Sequence, residues 1–333
     1  MTRKTNVSAM PGKVRELNLS NPIINELLQM HTYCRPAGSE TEALFVKRYL
    51  DSIPDMRSDA KGNRYINIPN RDGSLSRILW SSHTDTVHAK GGRQRITYGG
   101  GMLSLSPNAD SSCLGADCTA GVWLMRQMIL REVPGLYIFH AAEEVGGIGS
   151  HHIAIETPEL LDGIDYAIAL DRRGTTSVIT HQGARCASDA FGRALADQLS
   201  TKGHTFQLDS GGTFTDTANY TDIVPECTNL SVGYHNAHTA NEYLDVPFLA
   251  HLLERLCQID PVTLPVVRKA GDSDFPWGNS ASWRSGGTAS YASSGKPRHL
   301  EDLVYDYPKA AAQLLEDLGI TADDFEQYLY SVH

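Results

Sequence analysis

The chain of 333 residues has no apolar run approaching the ~20 residues that a membrane-crossing helix needs. Its six cysteines (34, 113, 118, 186, 227 and 257) include no Cys-x-x-Cys pair. A disulfide framework is therefore not expected, and reduced thiols in a cytoplasmic protein are. Basic residues are in short supply: 29 Lys and Arg stand against 39 Asp and Glu, a net charge of −10. That balance argues against nucleic acid or an anionic membrane as a partner, and it suits a site that holds cations. The opening segment Met1–Val7 carries basic residues with no apolar core behind them, so it does not read as a secretory signal. No internal repeat is visible. The length allows one large domain or two modest ones, with a sizeable core.

Strand-like and helix-like segments alternate along the chain. Helices are expected over 21–31, from a Ser39-x-x-Glu42 capping box to Leu50, and over 119–131. Strands are expected over 64–68, 77–80, 136–139, 166–169 and 228–232. Several of these apolar strands run directly into polar motifs. In open α/β sheets ligands collect at the carboxyl ends of strands, so this placement organises the whole reading. The expected fold is α/β, a mixed and mostly parallel twisted sheet sandwiched by helices.

Five acidic and two histidine side chains make up those motifs. His83 and Asp85 lie in Trp80-Ser-Ser-His-Thr-Asp, Asp117 in Leu114-Gly-Ala-Asp-Cys, and Glu143 and Glu144 in Ala141-Ala-Glu-Glu-Val-Gly-Gly. Asp171 lies in Ala169-Leu-Asp-Arg-Arg, and His238 in His235-Asn-Ala-His-Thr-Ala-Asn-Glu. Neutral imidazoles and carboxylates suit a borderline ion such as zinc. His83 and Asp85, two apart, would share one face of a strand, where Asp85 can accept from the imidazole nitrogen that is not on a metal. Glu143 and Glu144 would face opposite ways if the strand continued, so that one could ligate and the other stay free for proton transfer.

The order and spacing of these segments resemble the two-metal exopeptidase superfamily: leucine, glutamyl and deblocking aminopeptidases, with aminoacylase and carboxypeptidase relatives. The resemblance covers roughly residues 20–250. It implies a phosphorylase/hydrolase-like fold and two divalent ions per chain, zinc first, with cobalt or manganese as alternatives. By the same resemblance His83 and Asp171 bind one ion, Glu144 and His238 the other, and Asp117 bridges both. Glu143 is then the general base and Asp85 the support behind His83. A cis peptide is implied after the bridging Asp. The position following it, commonly a second Asp in relatives, is Cys118 here, which reads as a small buried residue behind the site.

Thirty-one residues lie between Asp85 and Asp117, and 66 between Asp171 and His238. Neither gap has room for the inserted module of many relatives, which would approach the ~100-residue domain size. A catalytic domain over 1–260 is expected, followed over 261–333 by a Gly- and Ser-rich loop (270–297) and helices at 300–318 and 322–332, packed on the same domain. Asp216, in Gly211-Gly-Thr-Phe-Thr-Asp, resembles a residue bordering the substrate pocket and could meet a substrate ammonium. Arg172 could meet a substrate carboxylate, although pairing to a nearby acid is the stronger expectation. The expected activity is metal-dependent removal of N-terminal residues from a peptide or small amide. A carboxypeptidase or N-acyl amino-acid deacylase is the alternative within this chemistry. A non-catalytic binding protein on a degenerate peptidase fold is the alternative outside it. The oligomeric state stays open.

Overall fold

Burial on both faces explains the centre of the molecule. In the computed structural model, which describes residues 22–272 with Leu315 and Thr321 as isolated positions, an eight-stranded mixed sheet forms the middle layer. Its strands in chain order are β1 (Arg57–Ser58), β2 (Arg64–Ile68), β3 (Ile78–His83), β4 (Gly135–His140), β5 (Tyr166–Arg172), β6 (Ser177–Ile179), β7 (Gln207–Asp209) and β8 (Glu226–Ser231). They lie side by side as β7-β6-β8-β5-β3-β4-β2-β1. The inner four, β8, β5, β3 and β4, are mutually parallel, and β3, β4 and β8 are buried at every position. Parallel strands covered on both faces need near-continuous apolar runs, which is what 78–80, 136–139 and 166–170 supply.

The helices are α1 (Pro22–Met30), α2 (Glu40–Tyr49), α3 (Ala116–Leu130), α4 (Ile148–Glu156), α5 (Asp189–Leu199) and α6 (Val246–Leu256). The helix α3 packs on β3 and β5, while α1 and α6 pack on α3 and α5 packs on β6, β7 and α6. A short 3₁₀ turn, Asp216–Tyr220, lies against α4 and the inner strands. A separate four-stranded sheet of residues 96–99, 102–105, 234–235 and 243–245 carries the His238 loop between its last two strands. All of 22–272 falls within one compact unit. The loop and helices expected after 270 lie outside the described residues, apart from 270–272 and the two isolated positions.

Two sequence expectations change in detail. β3 runs three residues past Trp80, through Ser81, Ser82 and His83, because β4 and β5 pair with it on both sides and satisfy its backbone. The capping box at α2 closes only halfway. Ser39 Oγ accepts from Glu42 N at 3.1 Å, but the Glu42 carboxylate accepts from Gly38 N at 2.7 Å and from the Thr84 hydroxyl at 2.6 Å. Glu42 thereby ties α2 to the residue after His83 and does not return to its own cap.

Candidate metal centre

His83, Glu143, Glu144 and Asp171 hang from the carboxyl ends of the inner parallel strands. His83 is the last residue of β3, paired in register with His140, the last residue of β4. Glu143 and Glu144 follow three and four residues later, in a turn. The strand does not continue to them as the alternation argument assumed: it ends at His140, and Ala142 takes a left-handed φ of 60° that turns the chain. Asp171 lies near the end of β5. Asp117 precedes the regular part of α3, since Asp117 and Cys118 have non-helical backbone angles and the helix proper starts at Thr119. The peptide between Asp117 and Cys118 is cis, as the resemblance implies.

These residues converge into two groups that share Asp117. His83 Nε2 is 3.1 Å from Asp117 Oδ1 and 3.4 Å from Asp171 Oδ1. His238 Nε2 is 3.3 Å from Asp117 Oδ2 and 3.5 Å from Glu144 Oε1. One carboxylate therefore faces both imidazoles, one through each oxygen. Glu143 Oε2 stands farther back, 4.0 Å from His83 Nε2. The His83 side chain is fully buried, whereas the His238 side chain is 46 % exposed, so the cluster opens to solvent on that side.

A layer of buried hydrogen bonds holds these groups from behind. His83 Nδ1 lies 3.1 Å from the backbone carbonyl of Asp85, and the fully buried Asp85 carboxylate faces the same nitrogen at 3.4 Å. It also accepts the backbone N–H of Glu143 at 3.0 Å and of Glu144 at 3.1 Å, so one carboxylate fixes the histidine and the turn together. Asn229 clamps the backbone of Asp171, accepting from its N–H and donating to its carbonyl, both at 3.0 Å. Thr215 donates to Asp171 Oδ2 at 2.9 Å, and the Tyr234 hydroxyl contacts Asp117 Oδ2 at 3.1 Å. Glu242 accepts from the N–H groups of Gly115, Ala116 and Asp117 at 2.8, 2.9 and 3.2 Å. Sequence reasoning missed Asn229, Tyr234, Thr215 and Glu242. Of these only Glu242, four residues after His238, carried a local signal.

The remaining expected residues are placed away from the open side. Asp216 is 1 % exposed, and its carboxylate lies 3.2 Å from His140 Nδ1 in the interior. Arg172 donates to the Gly211 carbonyl at 2.7 Å and lies 3.7 Å from Asp209, a pairing to a nearby acid. Cys118 is fully buried, and its thiol donates to the Leu170 carbonyl at 3.2 Å. Its sulfur nevertheless falls with His83 and Asp171 in a group whose potential ligand atoms lie within 4.8 Å of one another, as do His83, Asp117 and Glu144. The hydrogen bond to Leu170 marks Cys118 as a thiol packed behind the site.

The electrostatics of this cluster are those of a place prepared for positive charge. Burial, then the charge of Asp117, raise the Asp171 carboxyl to about 7. Burial lifts Glu143 well above the ordinary carboxylate range; His83 opposes this, and Asp171, Asp216 and Glu144 add to it. Burial also acts to raise Asp117, but hydrogen bonds from His238 and His83 outweigh it and hold that carboxyl far below its usual value. Hydrogen bonds to Asp117 and Glu144 raise His238 to about 11. Asp171 Oδ1 and Glu144 Oε1 are buried and meet no well-formed hydrogen bond, their nearest imidazole nitrogens being His83 Nε2 at 3.4 Å and His238 Nε2 at 3.5 Å, a costly state unless something cationic satisfies them. Ligand atoms on one tetrahedral zinc, each about 2.0–2.2 Å from it, lie roughly 3.4 Å apart. The separations of 3.1–3.5 Å found here match that spacing. The donor set and its spacing fit divalent-metal binding.

Comparison with solved structures places the fold. The chain is similar to aminopeptidase PepT from Bacillus cereus, at 16 % identity, with a TM-score of 0.57 over 71 % of this chain and 96 % of that one. It is similar to a tripeptidase from Staphylococcus aureus, at 14 % identity and a TM-score of 0.58 over 73 % and 98 %. A third is the TET1 peptidase of Pyrococcus horikoshii, described as assembling into a tetrahedron or a large octahedral shell, at 17 % identity and a TM-score of 0.52 over 70 % and 98 %. No protein-family model and no curated protein matches the sequence. At these identities the likeness establishes the fold, and that fold is the one the resemblance to two-metal exopeptidases implies.

Proposed function

We propose that the chain is a metal-dependent exopeptidase that removes N-terminal residues from peptides. The observation that carries this reading is Asp117, whose two carboxylate oxygens face His83 and His238 at 3.1 and 3.3 Å. His83, Asp171 and Asp117 would hold one cation, and Glu144, His238 and Asp117 the other, with zinc first by donor chemistry. When bound, such a pair polarises the scissile carbonyl and makes water a nucleophile at neutral pH. Glu143, on the turn fixed by Asp85, is the base. Its carboxylate takes a proton from the attacking water as the O–C bond forms, and returns it to the amine nitrogen as the C–N bond breaks.

Acidity around the site favours a substrate ammonium over a substrate carboxylate. Glu143, Glu144, Asp117 and Asp171 line the cluster, and Arg172, the cation expected to grip a carboxylate, is engaged by Gly211 and Asp209. The compartment consistent with six free cysteines is the cytoplasm. A panel of free-amino, N-acetylated and C-amidated dipeptides, run with zinc, cobalt and manganese and with a chelator, tests the proposal. Turnover should need metal and a free amine and tolerate the amide. Turnover of only the acetylated substrates would assign a deacylase, and a strict need for a free carboxylate a carboxypeptidase. No turnover with two metals bound would assign a binding protein.

A further inference from the structure

His238 reaches the centre from an exposed loop. Asn236 and residues 238–241 are exposed, and Asn236 and His238 have left-handed backbone, with φ of 54° and 66°. The loop's side-chain hydrogen bonds, Thr239 Oγ1 to the Asn236 carbonyl at 2.8 Å and Asn241 N to Thr239 Oγ1 at 3.2 Å, tie it to itself. Glu242 behaves differently. It is 1 % exposed, and its carboxylate crosses to the segment that carries Asp117. Oε2 accepts from Gly115 N at 2.8 Å, and Oε1 from Ala116 N at 2.9 Å and Asp117 N at 3.2 Å.

Those N–H groups belong to the non-helical stretch that carries Asp117 into the regular part of α3, where no helical turn precedes them, and buried backbone donors need an acceptor. Gly115 has no side chain to offer. The acceptor comes from more than a hundred residues away, four residues after His238. We infer that Glu242 is a positioning residue that sets His238 against Asp117. It thereby controls affinity for the cation assigned to Glu144, His238 and Asp117 more strongly than for the one on the His83–Asp171 side, which shares only Asp117 with it. The inference rests on the two-cation reading and is independent of which bond is cleaved.

The test counts bound cobalt and zinc, with affinities, in wild type, Glu242→Ala, Glu242→Gln and His238→Ala. Wild type should bind two equivalents. Glu242→Ala should keep one tight equivalent and weaken the second about 10–100-fold, the range for removing a group that orients a ligand, and so mimic His238→Ala. Glu242→Gln keeps an oxygen for Ala116 and Asp117 but sets an amide against Gly115, so its loss should be smaller. A cap that only stabilised the fold would lower the unfolding midpoint and weaken both cations alike. That outcome, or two wild-type affinities in Glu242→Ala, overturns the inference. If Glu242→Ala does not fold, the pattern in Glu242→Gln decides. Fewer than two equivalents in wild type would remove the two-cation reading itself, and would show before any variant is compared.

Discussion

The carboxylate of Asp85 accepts the backbone N–H of Glu143 at 3.0 Å. Through that bond and its partner to Glu144, a residue expected only to steady His83 also sets where the base and a ligand can stand. Asp85→Asn should turn one of its two acceptor atoms into a donor facing a backbone N–H. Metal affinity should fall about 10–100-fold. Turnover measured with metal restored to saturation should stay low, because the Glu143 turn has moved. Full recovery of turnover on adding metal would confine Asp85 to the histidine.

Glu143 and Glu144 should separate in a paired experiment. Glu144→Gln should lower metal content and activity together. Glu143→Gln should keep two cations and near-normal substrate affinity while turnover falls at least ~10²–10⁴-fold, the usual share of general acid–base catalysis. Near-normal turnover in Glu143→Gln with both cations bound would place the base elsewhere.

Cys118→Ser should be close to silent in metal content, since a serine hydroxyl can donate to the Leu170 carbonyl as the thiol does at 3.2 Å. Cobalt substitution gives an independent view. The wild-type spectrum should lack a sulfur-to-cobalt charge-transfer band. Its presence, and its loss in Cys118→Ser, would make the sulfur a ligand.

Gly121 lets α3 pack tightly against β5. A Cβ there would fall 2.1 Å from the Leu170 carbonyl and 2.6 Å from Cys118 Sγ. Gly121→Ala should therefore destabilise by about 1–3 kcal/mol or more, the range for overpacking a tight core. Because Leu170 adjoins Asp171, the cation on the His83 side should weaken with it. Denaturant midpoints and metal titration on one sample check both effects. An unchanged midpoint would show that the helix can shift without cost.

Acid should destabilise the fold through two histidines outside the metal centre. Burial lowers His31 to about 3 and His88 to about 4, so the folded state holds both neutral where the unfolded state is charged. The unfolded chain then binds more protons. Stability falls as pH drops through about 6.5 and levels off below the folded values, at about 1.4 kcal/mol per pH unit for each histidine. His88→Gln should reduce that slope by up to one proton's worth between pH 6.5 and 4, read from denaturant unfolding in chelator. An unchanged slope would mean that His88 is not buried neutral.

The fold was legible because its inner strands are short apolar runs that end in polar motifs: 136–139 and 166–169, and all of the expected 77–80 but Arg77, fell inside observed strands. The resemblance implied one cluster of His83, Asp117, Glu144, Asp171 and His238, and their side chains lie near one another. What stayed hidden depends on distance in space without a pattern in sequence. Asn229 lies mid-strand and reads as one more polar residue, yet it clamps Asp171 with two bonds. Asp216 read as a residue for the cleft but faces His140, because the 3₁₀ turn it opens points it inward. Glu143 and Glu144 were assigned opposite faces of a strand that had already ended at His140.

Asp117 draws the two histidines together only after distant parts of the chain have met. His83 closes β3, Asp171 lies on β5, the glutamates follow β4, and His238 arrives from a different sheet. An unfolded chain offers no such cage, so on the proposed two-cation reading ion capture would be coupled to completion of the fold. Contacts this non-local form slowly. During synthesis the ions would therefore find their seats late, after residue 238 has emerged, and a truncated chain would carry the motifs without the means to fill them.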